Sequence, residues 1–371
     1  MKFIYSLFFL SFSLSALPVR VLLEEHRRPE WKLQSNEGFS FKDPTTGARV
    51  CFGASYFTLS ITYAKGHFYI NGKKIKRKSL YIIPNKKYVA FDGGTFDGCM
   101  LLQKDKKGCY LMNLVDSEEY LYSVLKTESW PTWPTEMNKV QAIASRSYLL
   151  HQILHSRKTD VPYHIKNTNH HQTYSGVHDK ETMRKAVKDT EGIILSYENK
   201  PILAMFDCCC GSVVPAKSLD LADYSKAPYL ARPYACKYCK KSKIYSWKAE
   251  YSFSEFRDLL QEGYDTILHD LTDVKIGQKD KAGVVQHIVA KTKKDEVHFS
   301  SKDMYKLFKE VKSFSFTVKK RSQKITLLGK GYGHHLGLCQ WGAREMVAQG
   351  WDYEKVLEFY YPGTTFMKLK G

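Results

Sequence analysis

The densest concentration of side chains able to do chemistry lies between Glu119 and Tyr148. Glu128 stands where a helical pattern meets the corner Trp130-Pro131-Thr132-Trp133-Pro134. Aromatic packing at such a corner strips water from a carboxyl group and moves its pKa up toward the range of a general acid. The indoles Trp130 and Trp133 offer flat faces for sugar rings. Periodicity alone leaves a plainer alternative open, a surface carboxylate at a helix end beside core tryptophans. Lys139 and Arg146 follow on the next helical pattern, seven residues apart and so on one face. Two cations on one face suit anionic partners or ion pairs that hold the fold.

Other groups could hold a metal. His164, His170 and His171 fall within eight residues, close enough in sequence to ligate zinc, although a hydrogen-bonding or surface role fits equally well. Cys236-Lys237-Tyr238-Cys239 has CxxC spacing, but no second CxxC follows at zinc-ribbon distance, so a disulfide or plain thiols are expected there. The chain has nine cysteines, an odd count that leaves at least one unpaired even in an oxidising compartment.

Several elements must position these residues. From Val19 to about Val115, short apolar runs alternate with turn signals, as in Phe68-Tyr69-Ile70 before Asn71-Gly72, and predict a lobe of antiparallel strands. Helices are predicted from Ser117 to about Leu125, from Pro134 to Ser156 and from Lys180 to Thr190. Strands are expected at 192–195, 202–206, the 270s to 290s and 314–318, and a helix at 254–260 capped by Ser254. A glycine-rich loop at 329–342 leads into helices 342–349 and 352–361. The fold class is therefore α+β: a β-rich N-terminal lobe with a helical catalytic segment and a Gly-rich C-terminal loop around a binding cleft. The expected boundaries are 1–16, 17–115 and 116–371.

Two blocks resemble the SpoIID/LytB family, named for stage II sporulation protein D. In the first, Glu119-Tyr120-Leu121, Val124, Glu128, Trp133-Pro134, Lys139, Gln141-Ala142, Ala144, Arg146 and Tyr148 match in order and spacing. The second is Gly331-Tyr332-Gly333-His334-His335-Leu336-Gly337-Leu338-Cys339-Gln340-Trp341-Gly342-Ala343, continued by Tyr360-Tyr361-Pro362-Gly363. There His335 stands for a family glycine and Cys339 for a serine, so a different backbone conformation is expected at His335. Weaker matches are Gln172-x-Tyr174-x-Gly176 and Ala186-Val187-x-x-Thr190-x-Gly192; at 206–211 the family's histidine and serines are replaced.

The resemblance implies cleavage of the bond between N-acetylmuramic acid and N-acetylglucosamine in peptidoglycan, in strands stripped of stem peptides. It makes Glu128 the catalyst. It places Lys139, Gln141, Arg146, Tyr148, Trp133, His334 and Gln340 on the glycan. A lytic transglycosylase needs one carboxyl group, whereas a hydrolase (a muramidase) normally needs a second one about 5–10 Å away. No such partner is evident in the sequence. Some relatives are enhancers of an N-acetylmuramoyl-L-alanine amidase, so a non-catalytic glycan-binding role with an amidase as partner is the alternative. No cofactor is required for either, and zinc at the three histidines is the metal option.

The net charge of +19 and pI near 9.3 call for anionic partners. Lys2, the apolar run Phe3 to Leu14 and the small residues before Pro18 read as a secretory signal cleaved near Ala16, with retention as an anchor the second option. Export to the cell envelope argues against nucleic acid and for cell-wall polymers. Beyond that leader no stretch is long and apolar enough to span a bilayer.

Overall fold

The computed structural model describes residues 17–25, 28–51, 56–169, 171–218, 220–264, 270–322 and 324–369. The expected leader at 1–16 lies outside them. Among the described residues, no helix is long and apolar enough to cross a membrane. The fold is α+β, with seven α-helices among the described residues and strands in several sheets. The chain forms two compact units, Met1–Ser196 with Phe366–Gly371, and Tyr197–Thr365.

The first unit is built on two six-stranded sheets. One runs in the order Ile165–Lys166, Pro18–Glu25, Cys109–Asp116, Cys99–Lys104, Ser79–Pro84 and Phe39–Lys42. The other runs Lys73–Ile75, His67–Ile70, Thr58–Ala64, Glu30–Gln34, Tyr88–Phe91 and Gly94–Asp97. The expected antiparallel lobe is there. Its hairpin at Asn71-Gly72 has both turn residues at positive φ, 47° and 76°, as a two-residue hairpin turn demands.

Helix α1 (Ser117–Glu128) springs directly from the strand Cys109–Asp116. Asp116 caps it, its side chain accepting the N–H groups of Glu118 and Glu119. No linker separates strand from helix. Helix α2 (Thr135–Ser156) is buried on nearly every face from Met137 to Ile153, which is why it shows little amphipathic patterning. Helix α3 (Glu181–Asp189) is amphipathic and buries Met183, Ala186 and Val187.

The second unit holds two three-stranded antiparallel sheets. One is ordered Ser246–Ser252, Lys324–Lys330, Phe316–Arg321, and the other Asp273–Lys279, Val285–Lys291, Glu296–Ser300. Helices α4 (Phe253–Tyr264) and α5 (Ser301–Leu307) contribute to a core that gathers Phe256, Leu260, Phe299, Met304, Phe308 and Phe316. Helices α6 (Gln340–Ala348) and α7 (Tyr353–Tyr360) close the unit.

Two local expectations need correction, and one helix was not foreseen. The cap of α4 is Ser252, whose Oγ accepts Glu255 N–H at 3.1 Å, and not Ser254, which lies inside the helix. The strand expected at 202–206 shrinks to Phe206–Asp207, paired in parallel with Leu338–Cys339. Helix α5 has no counterpart in the sequence reading, although Ser300 caps it by accepting Asp303 N–H at 3.1 Å.

Candidate functional site

Helix α1 stops at Glu128 because the next residues cannot continue it. Ser129 is extended, at φ −135° and ψ −174°, and its N–H closes the last turn on Leu125 O. Its hydroxyl donates to Asn138 Oδ1 of α2 at 3.0 Å, which ties the end of one helix to the start of the next. Pro131 disfavours helical backbone at Trp130. Trp133 N–H then donates to Trp130 O at 3.0 Å, completing the corner.

The Glu128 side chain is half-buried. Its Oε1 accepts the backbone N–H of Thr173 at 2.7 Å. Residues 172–176 are held firmly for this. Gln172 and Tyr174 point inward and are buried; Tyr120 OH donates to Gln172 Oε1 at 3.0 Å, and Tyr174 OH donates to Asn113 Oδ1 at 2.6 Å. Tyr120 and Tyr174 stack with ring centroids 5.3 Å apart. Gly176, at φ 81°, passes so near Thr95 O that an added Cβ would lie 2.1 Å from it. Thr127 Oγ1 donates to Thr173 O at 2.5 Å, so Thr173 is bound to the end of α1 from both its amide and its carbonyl.

Two phenols sense the Glu128 charge. Burial raises Tyr148 to about 12, with a further contribution from Glu128, and burial holds Tyr120 well above the usual tyrosine range with Glu128 among its causes. Tyr148, 8% exposed, also meets the His171 ring edge-on at 6.5 Å between centroids.

The tryptophans divide. Trp133 is 7% exposed and Trp130 is 52% exposed, their centroids 6.1 Å apart. Trp133 is thus a core residue in this structure, and the open indole face belongs to Trp130. The expected cationic face is divided as well. Arg146 is 1% exposed and makes a bidentate pair with Glu118, Nε–Oε1 2.9 Å and Nη2–Oε2 2.7 Å; it also donates to Ile193 O and Val187 O. Its guanidinium is committed to joining α1, α2 and the start of the strand Ile193–Tyr197. Lys139, partly exposed, lies 3.4 Å from Glu136 and 3.6 Å from Asp189. Gln141 is fully buried and donates to Ser145 Oγ at 3.2 Å.

The three histidines do not assemble into a metal cluster among the described residues. His164 Nδ1 accepts Arg20 N–H at 3.2 Å, and burial lowers the imidazole to about 4. His171 Nδ1 accepts Lys166 N–H at 2.9 Å, and His170 lies outside the described residues.

In the second unit, His334 Nδ1 accepts Leu336 N–H at 3.1 Å and burial brings this imidazole to about 4. Gln340 is 5% exposed at the first position of α6. His335 takes the left-handed conformation, φ 68°, that its glycine counterpart adopts freely. Its N–H donates to Asp207 Oδ2 at 2.7 Å and its Nδ1 lies 3.0 Å from Cys210 O, contacts that hold a residue with a Cβ where glycine is easier. Burial pushes the Asp207 carboxyl well above the usual range.

A family model described as stage II sporulation protein matches residues 105–197, and one described as a domain of unknown function matches 226–337. The chain is 32% identical over 261 residues to an uncharacterized protein of Brachyspira hyodysenteriae, covering 68% of this chain and 67% of that protein. The chain is also similar to the stage II sporulation protein D of Bacillus subtilis, 24% identical over 265 residues, covering 67% of this chain and 73% of that protein. The chain belongs to the SpoIID/LytB family. Within the family it is also similar to the amidase enhancer of Bacillus subtilis, 27% identical over 290 residues, 66% of this chain but 40% of that longer protein. The matched segment 105–197 carries Glu128, Trp130, Thr173 and the buried pair Glu118–Arg146, so the SpoIID/LytB signature coincides with the geometry around Glu128.

Proposed function

We propose that this SpoIID/LytB protein is an exported cell-wall enzyme that cuts peptidoglycan glycan strands as a lytic transglycosylase, with Glu128 as its single acid/base. The observation that carries the reading is Glu128 itself: a half-buried carboxylate with one oxygen fixed by Thr173 N–H, two residues before the exposed Trp130 in the chain. In this reading Glu128 first donates its proton to the glycosidic oxygen as the muramyl C1–O bond breaks. The resulting carboxylate then takes the proton of the muramyl 6-hydroxyl as that oxygen closes on C1, giving a 1,6-anhydro ring. One carboxyl group serves both steps and ends protonated as it began.

The other carboxylates of the helix support a one-carboxyl reaction. Asp116 caps α1, Glu118 is paired with Arg146 and Glu119 with Arg184. Glu119 also lies nine residues before Glu128, about 13 Å along the axis at 1.5 Å per residue, outside the ~5–10 Å separation that hydrolysis uses. Trp130 and Lys139 are the sugar- and carboxylate-facing groups, with Tyr148 beside Glu128. His334 and Gln340 join the proposal through the family resemblance.

A second reading has its own support in the similarity to an amidase enhancer: a glycan-binding protein that stimulates a separate amidase. Mass spectrometry of peptide-free glycan after incubation separates the two. Anhydro-muramyl ends are expected from the transglycosylase. Reducing ends without the anhydro ring point to a muramidase. Uncut glycan together with faster stem-peptide release by an added amidase points to the enhancer.

A further inference from the structure

We infer that the second unit carries a closed tetrathiolate metal site, built for zinc, from Cys210, Cys236, Cys239 and Cys339. The inference is independent of Glu128 and of glycan cleavage. All four sulfur atoms lie within 4.8 Å of one another, and all four residues are buried. Cys210 Sγ and Cys239 Sγ are 3.8 Å apart, too far for a bond. Zinc–sulfur bonds of ~2.3 Å in a tetrahedron give sulfur–sulfur edges of about 3.8 Å. The Cys210–Cys239 separation matches such an edge, and the other sulfurs lie within about 1 Å of that spacing or closer. No disulfide joins any of the described cysteines.

The surroundings are those of an anionic cluster. Arg232 is 1% exposed, and its Nη2 lies 4.0 Å from Cys210 Sγ. Its other contacts are the carbonyls of Val213 and Tyr234 and the rings of Tyr234, Phe359 and Tyr360. No carboxylate pairs with this guanidinium among the described residues, and its Nε is buried without a hydrogen-bond partner. The Asp207 carboxyl feels this charge from a distance without pairing with it, and a buried cation that lacks a paired counter-charge is strongly destabilising. A tetrathiolate zinc centre carries a net charge of −2 and supplies that counter-charge, whereas four neutral thiols do not.

Further donors converge on the sulfurs. Cys210 N–H donates to Cys339 Sγ at 3.2 Å, the outer hydrogen bond that orients a thiolate ligand, and Tyr360 OH lies 3.2 Å from Cys236 Sγ. The backbone has been cleared for the cluster. A Cβ on Gly342 would sit 2.7 Å from Cys236 Sγ and 3.3 Å from Cys339 Sγ. The site joins three stretches remote in sequence: the residues just after the strand Phe206–Asp207, the 3-10 turn Tyr238–Lys241 with the residues before it, and the strand Leu338–Cys339 that leads into α6. Four buried protein ligands with no open position make it a structural centre, which would hold the loop bearing His334 and His335.

The test uses the full-length chain purified from zinc-replete cells without chelator, measured by elemental analysis. One zinc per chain is expected. Replacing zinc by cobalt(II) in the wild-type protein should give the intense thiolate-to-cobalt charge transfer and visible bands of a tetrahedral sulfur site. That readout stands even where variants misfold. Cys236→Ser should lower bound zinc at least fivefold, while Cys99→Ser, in the first unit, keeps it. Metal-free protein whose four thiols all react as free groups, a disulfide between any two of the four, or a cobalt spectrum lacking the charge-transfer band overturns the proposal. Iron in place of zinc overturns the zinc assignment.

Discussion

Thr173 N–H donates to Glu128 Oε1 at 2.7 Å across 45 residues of sequence, and Thr127 Oγ1 returns the contact by donating to Thr173 O at 2.5 Å. The carboxylate is thus held by the backbone of one segment, whose position depends on the side chain just before Glu128. Replacing Thr127 by Val removes the hydroxyl that anchors Thr173 and keeps the shape. Activity on peptide-free glycan is expected to fall several-fold through kcat, with unfolding free energy lowered by about 1 kcal/mol. A loss of activity that only tracks loss of folded protein in urea titration contradicts this positioning role.

Trp130 and Trp133 should separate binding from stability. Trp130→Ala removes an exposed ring and is expected to weaken glycan binding about tenfold while changing stability by less than ~1 kcal/mol. Trp133→Ala empties a core position and should cost about 3–5 kcal/mol. Pull-down on insoluble peptidoglycan and chemical denaturation measure the two quantities. Equal effects on binding and stability at both positions contradict the assignment.

Arg146 should behave as a structural residue. Arg146→Ala leaves Glu118 without its partner, and breaking a buried pair from one side costs about 3–5 kcal/mol. Arg146→Lys keeps the charge but loses the fork that reaches both carboxylate oxygens, so most of the loss should remain. Glycan affinity of the fraction still folded should be unchanged, read by binding isotherms corrected for folded protein.

The buried imidazole of His164 predicts a pH dependence. Its folded-state pKa, about 4, lies below the ordinary value of 6.5. The unfolded chain therefore takes up the proton first, so the stability linked to this group is fully present above pH 6.5 and is lost as pH falls from 6.5 toward 4. The loss amounts to at most about 3 kcal/mol. Denaturation at a series of pH values should show a shallower acid slope in His164→Gln than in the wild type; parallel slopes contradict the assignment.

Much of the fold could be read from the sequence because local patterns and tertiary structure agree there. Asn71-Gly72 turns where a hairpin needs positive φ, and the helices around Glu128 begin and end at their caps and prolines. Burial was not legible at the same level. Lys139 and Arg146 share a helix face by spacing, yet spacing does not say that Glu118 and two carbonyls meet Arg146. Trp133 rather than Trp130 matched the family block, and only packing shows which ring faces outward. The Thr173 contact is a backbone amide, which leaves no trace in residue types. The cysteine group was hidden for a different reason. A zinc ribbon announces itself by two nearby CxxC pairs, whereas here Cys236 and Cys239 are completed by Cys210 and Cys339 from either side of a long segment. His335 is a further case: its identity could not show that its N–H would be held by Asp207 at a positive φ of 68°.

The central claim is that Glu128 is the acid and base of glycan cleavage. It is tested most directly by incubating wild type and Glu128→Gln with peptide-free glycan strands and counting anhydro-muramyl ends by mass spectrometry, with circular dichroism on both. Glu128→Gln is expected to fold as the wild type does, to retain binding, and to lose at least a hundredfold in product formation. Wild-type levels of anhydro ends from folded Glu128→Gln, or none from the wild type itself, would contradict it.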